Sequence, residues 1–141
     1  MLVTNEIIVA RPLVAVFDTA TTAKYWPKWH PATLGVAGQT DRPARLGDVI
    51  VERVQLGGRP GEGAWTVVED EHPRRLVLET NVALGRLTIT YTAETTPDGT
   101  RFRRDLEYPD LGPQMEQLMR AQSAVGMENL KTLLEHLIPA A

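Results

Sequence analysis

The chain has 141 residues, a length that fits one domain and leaves little room for a second. It contains no cysteine, which excludes a disulfide framework and a thiolate metal site. The formal net charge is −3, and no apolar run approaches the ~20 residues of a membrane span. We therefore expect neither nucleic-acid binding nor membrane insertion. The first residues lack the basic region and cleavage site of a signal peptide, so a cytoplasmic location is expected.

The N-terminal part of the chain predicts one strand followed by two short helices. Residues 2–10 are rich in β-branched side chains and predict a strand. Pro12 interrupts the strand and suits the first turn of a helix, which we place at residues 12–19. Thr21 and Thr22 can cap a second short helix, which is expected to end before Pro27.

The middle of the chain alternates between β-type segments and turn residues. Six further strands are predicted at residues 33–38, 47–56, 63–71, 74–81, 84–96 and 100–108. The glycine-rich residues 57–63 are expected to form a loop. Because this segment has no Gly-Lys-Ser/Thr and opens no helix, it does not predict a phosphate site.

The last two strands predict a hairpin with a defined register. If Asp98 and Gly99 form its two-residue loop, Tyr91 lies opposite Leu106 and diagonal to Arg104 and Tyr108. Apolar side chains then share one face of both strands. Arg104 interrupts that face, and with Tyr91 and Tyr108 it would form a polar patch on the concave side of the sheet. The alternative is an arginine that reaches solvent at the rim of the sheet.

Residues 112–138 predict one long amphipathic helix that begins near Pro113 and ends before Pro139. Its apolar stripe includes Met115 and Met119 near the start of the helix. Gln122 and Gly126 interrupt the stripe at its centre. Either they face an open, partly polar cavity, or the glycine permits close packing and the glutamine bonds a backbone group.

The densest aromatic cluster comprises Trp26, Trp29 and His30. Its indole rings suit either a plug that packs the short helices onto the sheet or a lid over a pocket. His30 would be a candidate acid or base there, but the sequence identifies no partner for it. Three scattered histidines lack the spacing of a metal site, so no metal is expected.

Four segments resemble the START-like (SRPBCC) superfamily, which includes the birch-pollen-allergen fold and bacterial polyketide cyclase/dehydrase-like proteins. They are residues 10–12 with residues 16–17, the YWPKWHP segment at 25–31, the EDEHPRRL segment at 69–76, and the final helix. The resemblance covers essentially the whole chain and implies a single START-like ligand-binding domain over residues 1–141. It implies an α+β helix-grip fold, in which a curved seven-stranded antiparallel sheet wraps a long C-terminal helix. No catalytic motif of the superfamily's enzymes matches this chain residue by residue.

We therefore expect an internal cavity between the sheet and the C-terminal helix that binds a hydrophobic, lipid- or polyketide-like molecule, as a carrier or sensor. Two alternatives are a polyketide aromatase/cyclase-type enzyme and a chaperone-interacting module. No cofactor is expected, and the sequence leaves a homodimer open. The predicted ligand-binding residues are Trp26, Trp29, Tyr91, Arg104, Tyr108, Met115, Met119, Gln122 and Gly126.

Overall fold

The computed structural model describes residues 1–83 and 85–140. Seven strands form one curved antiparallel sheet with the order β1-β7-β6-β5-β4-β3-β2. The strands are β1 (Leu2–Val9), β2 (Thr33–Gly38), β3 (Val49–Leu56), β4 (Arg59–Glu71), β5 (Arg75–Val82), β6 (Gly85–Thr96) and β7 (Gly99–Glu107). The predicted helix-grip α+β fold is confirmed. Leu84, the predicted first residue of the sixth strand, lies outside the described residues.

Two short helices follow β1, and one long helix ends the fold. They are α1 (Leu13–Ala20), α2 (Trp26–Trp29) and α3 (Pro113–Leu137), with a 3₁₀ turn at Ala23–Tyr25 before α2. The expectation that the second helix ends before Pro27 is wrong, since α2 begins at Trp26 and includes that proline. Proline fits there because the N–H groups of a helix's first turn have no intrahelical partner.

The β6–β7 hairpin differs from its predicted register by two residues. Its loop is Pro97-Asp98, and Gly99 already pairs with Thr96. Gly99 has φ +137°, and a Cβ there would lie 2.2 Å from a backbone oxygen of β1, so this pairing requires glycine. A shift of two preserves the faces of both strands, because side chains alternate with period two. Tyr91 therefore lies directly opposite Arg104 instead of diagonal to it.

The β3–β4 hairpin is also tighter than expected. Gly57 and Gly58 have φ +56° and +80°, and positive φ at both central residues is the signature of a type I′ turn. The predicted loop at residues 57–63 is therefore wrong for most of its length. After the turn, the glycine-rich segment is the start of β4 and pairs with β3.

Helix α3 packs to one side of the concave face. Its main contacts are with edge strand β1 and with α1 and α2. The buried stripe comprises Met119, Ser123, Gly126, Met127, Leu130 and Leu134. Leu137, the last residue of the helix, is exposed. Because the helix leans toward β1, space remains between it and the central strands.

Candidate functional site

The space between α3 and the sheet is a cavity of about 390 Å³. That volume equals about thirteen water molecules at ~30 Å³ each, and it falls within the range of small-molecule pockets. The wall is mainly apolar and includes Trp26, Trp29, Trp65, Leu78, Ile89 and Leu106. The described wall therefore presents mainly hydrocarbon and aromatic surface to the cavity.

Strand periodicity places these side chains in the cavity. Leu78 on β5 pairs with Ile89 on β6, which pairs with Leu106 on β7. The three residues form one row across the concave face, because directly paired residues point to the same side of a sheet. The next row along the same strands contains Tyr91 and Arg104. A charged group thus follows directly on the apolar row.

Arg104 is buried in the wall, with only 5% of its surface exposed. Its Nη1 donates a 3.0 Å hydrogen bond to Oγ of Ser123 on α3, and its Nε has no hydrogen-bond partner. No carboxylate within residues 1–83 and 85–140 forms a salt bridge with it. Burial raises the pKa of Tyr91, and the neighbouring Arg104 guanidinium lowers it by a smaller amount. The pKa therefore lies above its usual value, and Tyr91 is a neutral phenol at neutral pH. Buried arginines usually have an acidic partner, whereas the groups that face this one, the hydroxyls of Ser123 and Tyr91, are neutral.

A hydrogen-bond chain lies on another part of the wall. The Thr33 hydroxyl donates to Oε2 of Glu52 at 2.6 Å and lies 3.2 Å from Nδ1 of His30. The other Glu52 oxygen, Oε1, accepts from Nε1 of Trp65 at 3.0 Å. Since Thr33 donates its only hydroxyl proton to Glu52, it accepts from His30, whose Nδ1 therefore carries the proton. Nε2 of the neutral ring is then an acceptor.

Burial, and secondarily the positive charge of Arg104, lowers the pKa of His30 to about 3. Both causes act in the same direction, because a buried ring loses hydration of its charged form and a nearby cation repels that form. His30 is therefore uncharged at neutral pH.

Several polar groups of the cavity wall have no hydrogen-bond partner. They are Nε1 of Trp29, Oγ1 of Thr80, Nε of Arg104 and Oε1 of Gln122. Buried polar atoms are normally paired, because leaving one unpaired costs ~1–3 kcal/mol. Four such atoms belong to residues of one cavity wall, so the protein itself does not pair all the polar groups there.

The structure places six of the nine predicted site residues at the cavity: Trp26, Trp29, Tyr91, Arg104, Met119 and Gln122. Arg104 faces the interior, so the alternative of an arginine at the sheet rim is wrong.

The other three predicted residues do not line the cavity. Met115 is half-buried and packs against the hydrophobic core. Tyr108 follows the last residue of β7, and its backbone N–H bonds the carbonyl of Met1. It lies beyond the polar patch because the two-residue shift of the hairpin moves it away from Tyr91.

Gly126 does not line the cavity either, and the hypothesis that its missing side chain opens the hollow is wrong. A Cβ at this position would lie 3.4 Å from Cδ of Pro31 and 3.6 Å from the backbone oxygen of Trp29. The glycine therefore permits α3 to approach the segment after α2, which was the alternative reading of its role. The hollow exists because α3 leans toward β1.

The sequence reasoning missed Glu52, Thr33 and Ser123, and it found no partner for His30. One signal was readable: Ile50, Glu52 and Val54 occupy alternate positions of β3, so the carboxylate lies on an otherwise apolar face. The bonds from Thr33 to Glu52 and from Arg104 to Ser123 join different elements, and no local pattern predicts them.

In residues 1–83 and 85–140 there is no group of three histidine, cysteine or acidic side chains that could hold a metal ion. No helix within the same ranges is long and apolar enough to cross a membrane.

Sequence comparison identifies the family. The model of the family described as polyketide cyclase/dehydrase and lipid transport matches residues 2–135. The chain belongs to this family. It has the hydrophobic ligand-binding fold that the family shares, and the START-like resemblance seen in the sequence is confirmed. A search of curated proteins gave no match for this family member.

Several solved structures have the same fold and align with nearly the whole of this chain. A START superfamily protein from Mycobacterium smegmatis has a TM-score of 0.76 and 17% identity, over 96% of this chain and 98% of the other. The Aha1 dimer from Colwellia psychrerythraea has a TM-score of 0.74 and 16% identity, over 96% of each chain. Ginseng major latex-like protein 151 from Panax ginseng has a TM-score of 0.71 and 10% identity, over 96% and 97%. At these identities the likeness concerns the fold alone.

Proposed function

We propose that this protein binds a hydrophobic small molecule, lipid- or polyketide-like, in the cavity between α3 and the sheet, and acts as its carrier or sensor. The observation that carries the proposal is the cavity of about 390 Å³ with a mainly apolar wall. A ligand that buries roughly 200 Å² of apolar surface there would gain about 5 kcal/mol before ordering costs. Trp26, Trp29 and Met119 would supply apolar contacts, while Tyr91, Arg104 and Gln122 would orient the ligand's polar group.

Titration with N-phenyl-1-naphthylamine, an uncharged probe whose fluorescence rises in apolar surroundings, tests this proposal. We expect saturable binding to the wild type. Thr80→Phe should weaken it at least tenfold, because Thr80 lines the cavity from β5 and the larger ring would occupy the ligand's space. Thr90→Phe is the matched control, since Thr90 pairs with Val77 on β5 and lies outside the cavity lining.

Equal probe binding by the wild type and Thr80→Phe would contradict the proposal, and so would no binding at all. Circular dichroism of both variants establishes that each retains the fold, so that a loss of binding is a loss of the cavity.

A second candidate is an acid–base enzyme of the aromatase/cyclase kind, and the His30–Thr33–Glu52 chain favours it. The chain leaves Nε2 of His30 as an acceptor in a cavity that also contains the Arg104 cation. A base beside a cation that stabilises an oxyanion is the combination that enolate chemistry needs. The lowered pKa of His30 makes it a weak base, so binding without turnover is the leading function.

The Kemp elimination of 5-nitrobenzisoxazole measures whether His30 removes a proton in this cavity. The base takes the C3 proton, the N–O bond breaks, and a cyanophenolate forms whose absorbance is followed. The enzyme candidate predicts a saturable rate above buffer that is lost in His30→Asn, a variant whose amide keeps a donor for Thr33. A rate that is unchanged in His30→Asn would contradict this candidate and leave the binding proposal intact.

A further inference from the structure

Arg104 is the least compensated charged group of the cavity wall. It has five N–H donors, is 5% exposed, and donates one hydrogen bond, to the neutral Ser123 hydroxyl. Its Nε is buried without a partner. A guanidinium removed from water at this cost normally pairs with a carboxylate.

The other ionisable side chains of the wall do not supply that partner. Both oxygens of Glu52 already accept hydrogen bonds, one from Thr33 and one from Trp65, and no salt bridge joins Glu52 to Arg104 among the described residues. Glu62 is exposed. His30 is uncharged at neutral pH, for the reasons given above. The cavity end beside Arg104 therefore has an uncompensated positive charge.

We infer that the ligand is an apolar acid whose carboxylate pairs with Arg104 while its hydrocarbon part lies along Leu78, Ile89 and Leu106. This inference rests on the proposed binding function and names the chemical class of the ligand. A carboxylate can accept N–H bonds from one guanidinium. Arg104 belongs to the cavity wall, and because Nη1 donates one bond to Ser123, its remaining Nη N–H groups are the donors for a carboxylate.

The charge balance favours a carboxylate over a phosphate monoester. A phosphate monoester has about −1.5 to −2 charges at neutral pH, whereas Arg104 is the one cation among the described wall residues, which also include the carboxylates of Glu52 and Glu62. A dianion would leave about one charge uncompensated in a mainly apolar cavity. A monocarboxylate matches Arg104 one to one.

Displacement of N-phenyl-1-naphthylamine by three molecules with the same twelve-carbon chain tests the inference. The competitors are dodecanoate, dodecan-1-ol and dodecylammonium at neutral pH. We expect wild-type protein to bind dodecanoate at least tenfold more tightly than dodecan-1-ol, and dodecylammonium most weakly. Equal affinities for dodecanoate and dodecan-1-ol would overturn the inference.

Variants of β7 assign the preference to Arg104. Arg104→Met should abolish the preference for dodecanoate while keeping dodecan-1-ol binding, and Arg104→Lys should restore part of it. Arg101→Met on the same strand is the control, because Arg101 is 43% exposed and bonds Glu94 outside the cavity. A preference that persists in Arg104→Met would overturn the assignment. If Arg104→Met does not fold, Arg104→Gln takes its place and should lose the preference that Arg104→Lys retains.

The two proposals fail in different ways. Failure of the uncharged probe to bind the wild type contradicts ligand binding itself. Probe and dodecan-1-ol binding without a preference for dodecanoate contradicts only the acidic ligand.

Discussion

Moderate acid should destabilise the protein through His30. Its pKa is lowered from 6.5 in the unfolded chain to about 3 in the folded protein. Between pH 6.5 and pH 3, His30 is therefore protonated in the unfolded chain but not in the folded protein. The free energy of unfolding falls as the pH falls through this range. At pH 5, which is 1.5 units below the unfolded value, the loss is about 2 kcal/mol at ~1.36 kcal/mol per unit.

The measurement is urea unfolding of the wild type and of His30→Asn at pH 7.5 and pH 5. Asparagine offers an amide donor to Thr33 in place of Nδ1 and does not titrate. The free energy of unfolding of the wild type should fall by about 2 kcal/mol more than that of the variant. His72 and His136 are present in both proteins, so their contributions cancel in the difference.

An equal fall in both proteins would refute the reasoning. It would mean that His30 is hydrated in the folded protein or accepts a proton there.

Two substitutions on α3 test its packing. Gly126→Ala should leave the affinity for the probe unchanged. It should raise the free energy of unfolding by up to ~1 kcal/mol, because alanine favours a helix and its Cβ would make ordinary contacts. A tenfold change in affinity would mean that residue 126 does line the cavity. Ser123→Ala should lower the free energy of unfolding by ~1–3 kcal/mol, because it removes the one hydrogen bond of Arg104. Thr132→Ala, at an exposed position of the same helix, is the control in thermal unfolding, and equal losses in the two variants would contradict the role of Ser123.

Periodicity and turn residues predicted the order of the elements, because alternation and proline positions are local properties of the chain. They did not predict the β6–β7 register. Alternation distinguishes the two faces of a strand but not registers that differ by two residues. Gly99 decided between them, since its close approach to β1 requires the residue without a side chain.

The candidate site was predictable to the extent that a polar residue on an apolar face is visible in the sequence. Arg104 and Gln122 were recognised in this way, and Glu52 has the same signature. The structural role of Gly126 could not be predicted, because a glycine within a helix is compatible both with a cavity beside the helix and with a close contact to another segment. His30 and Thr33 are only three residues apart, but the bond from Thr33 to Glu52 required β2 and β3 to pair, which only the folded chain establishes.

The occupied cavity can be observed directly by isotope-filtered NMR, in which protein with ¹³C-labelled methyl groups binds unlabelled N-phenyl-1-naphthylamine. Binding between α3 and the sheet predicts nuclear Overhauser effects from the probe to the methyl groups of Leu78, Ile89 and Leu106, which line the cavity. The methyl groups of Val14 and Leu34, which are exposed, should show none. Contacts to the exposed methyl groups without contacts to the cavity methyl groups would contradict the central claim.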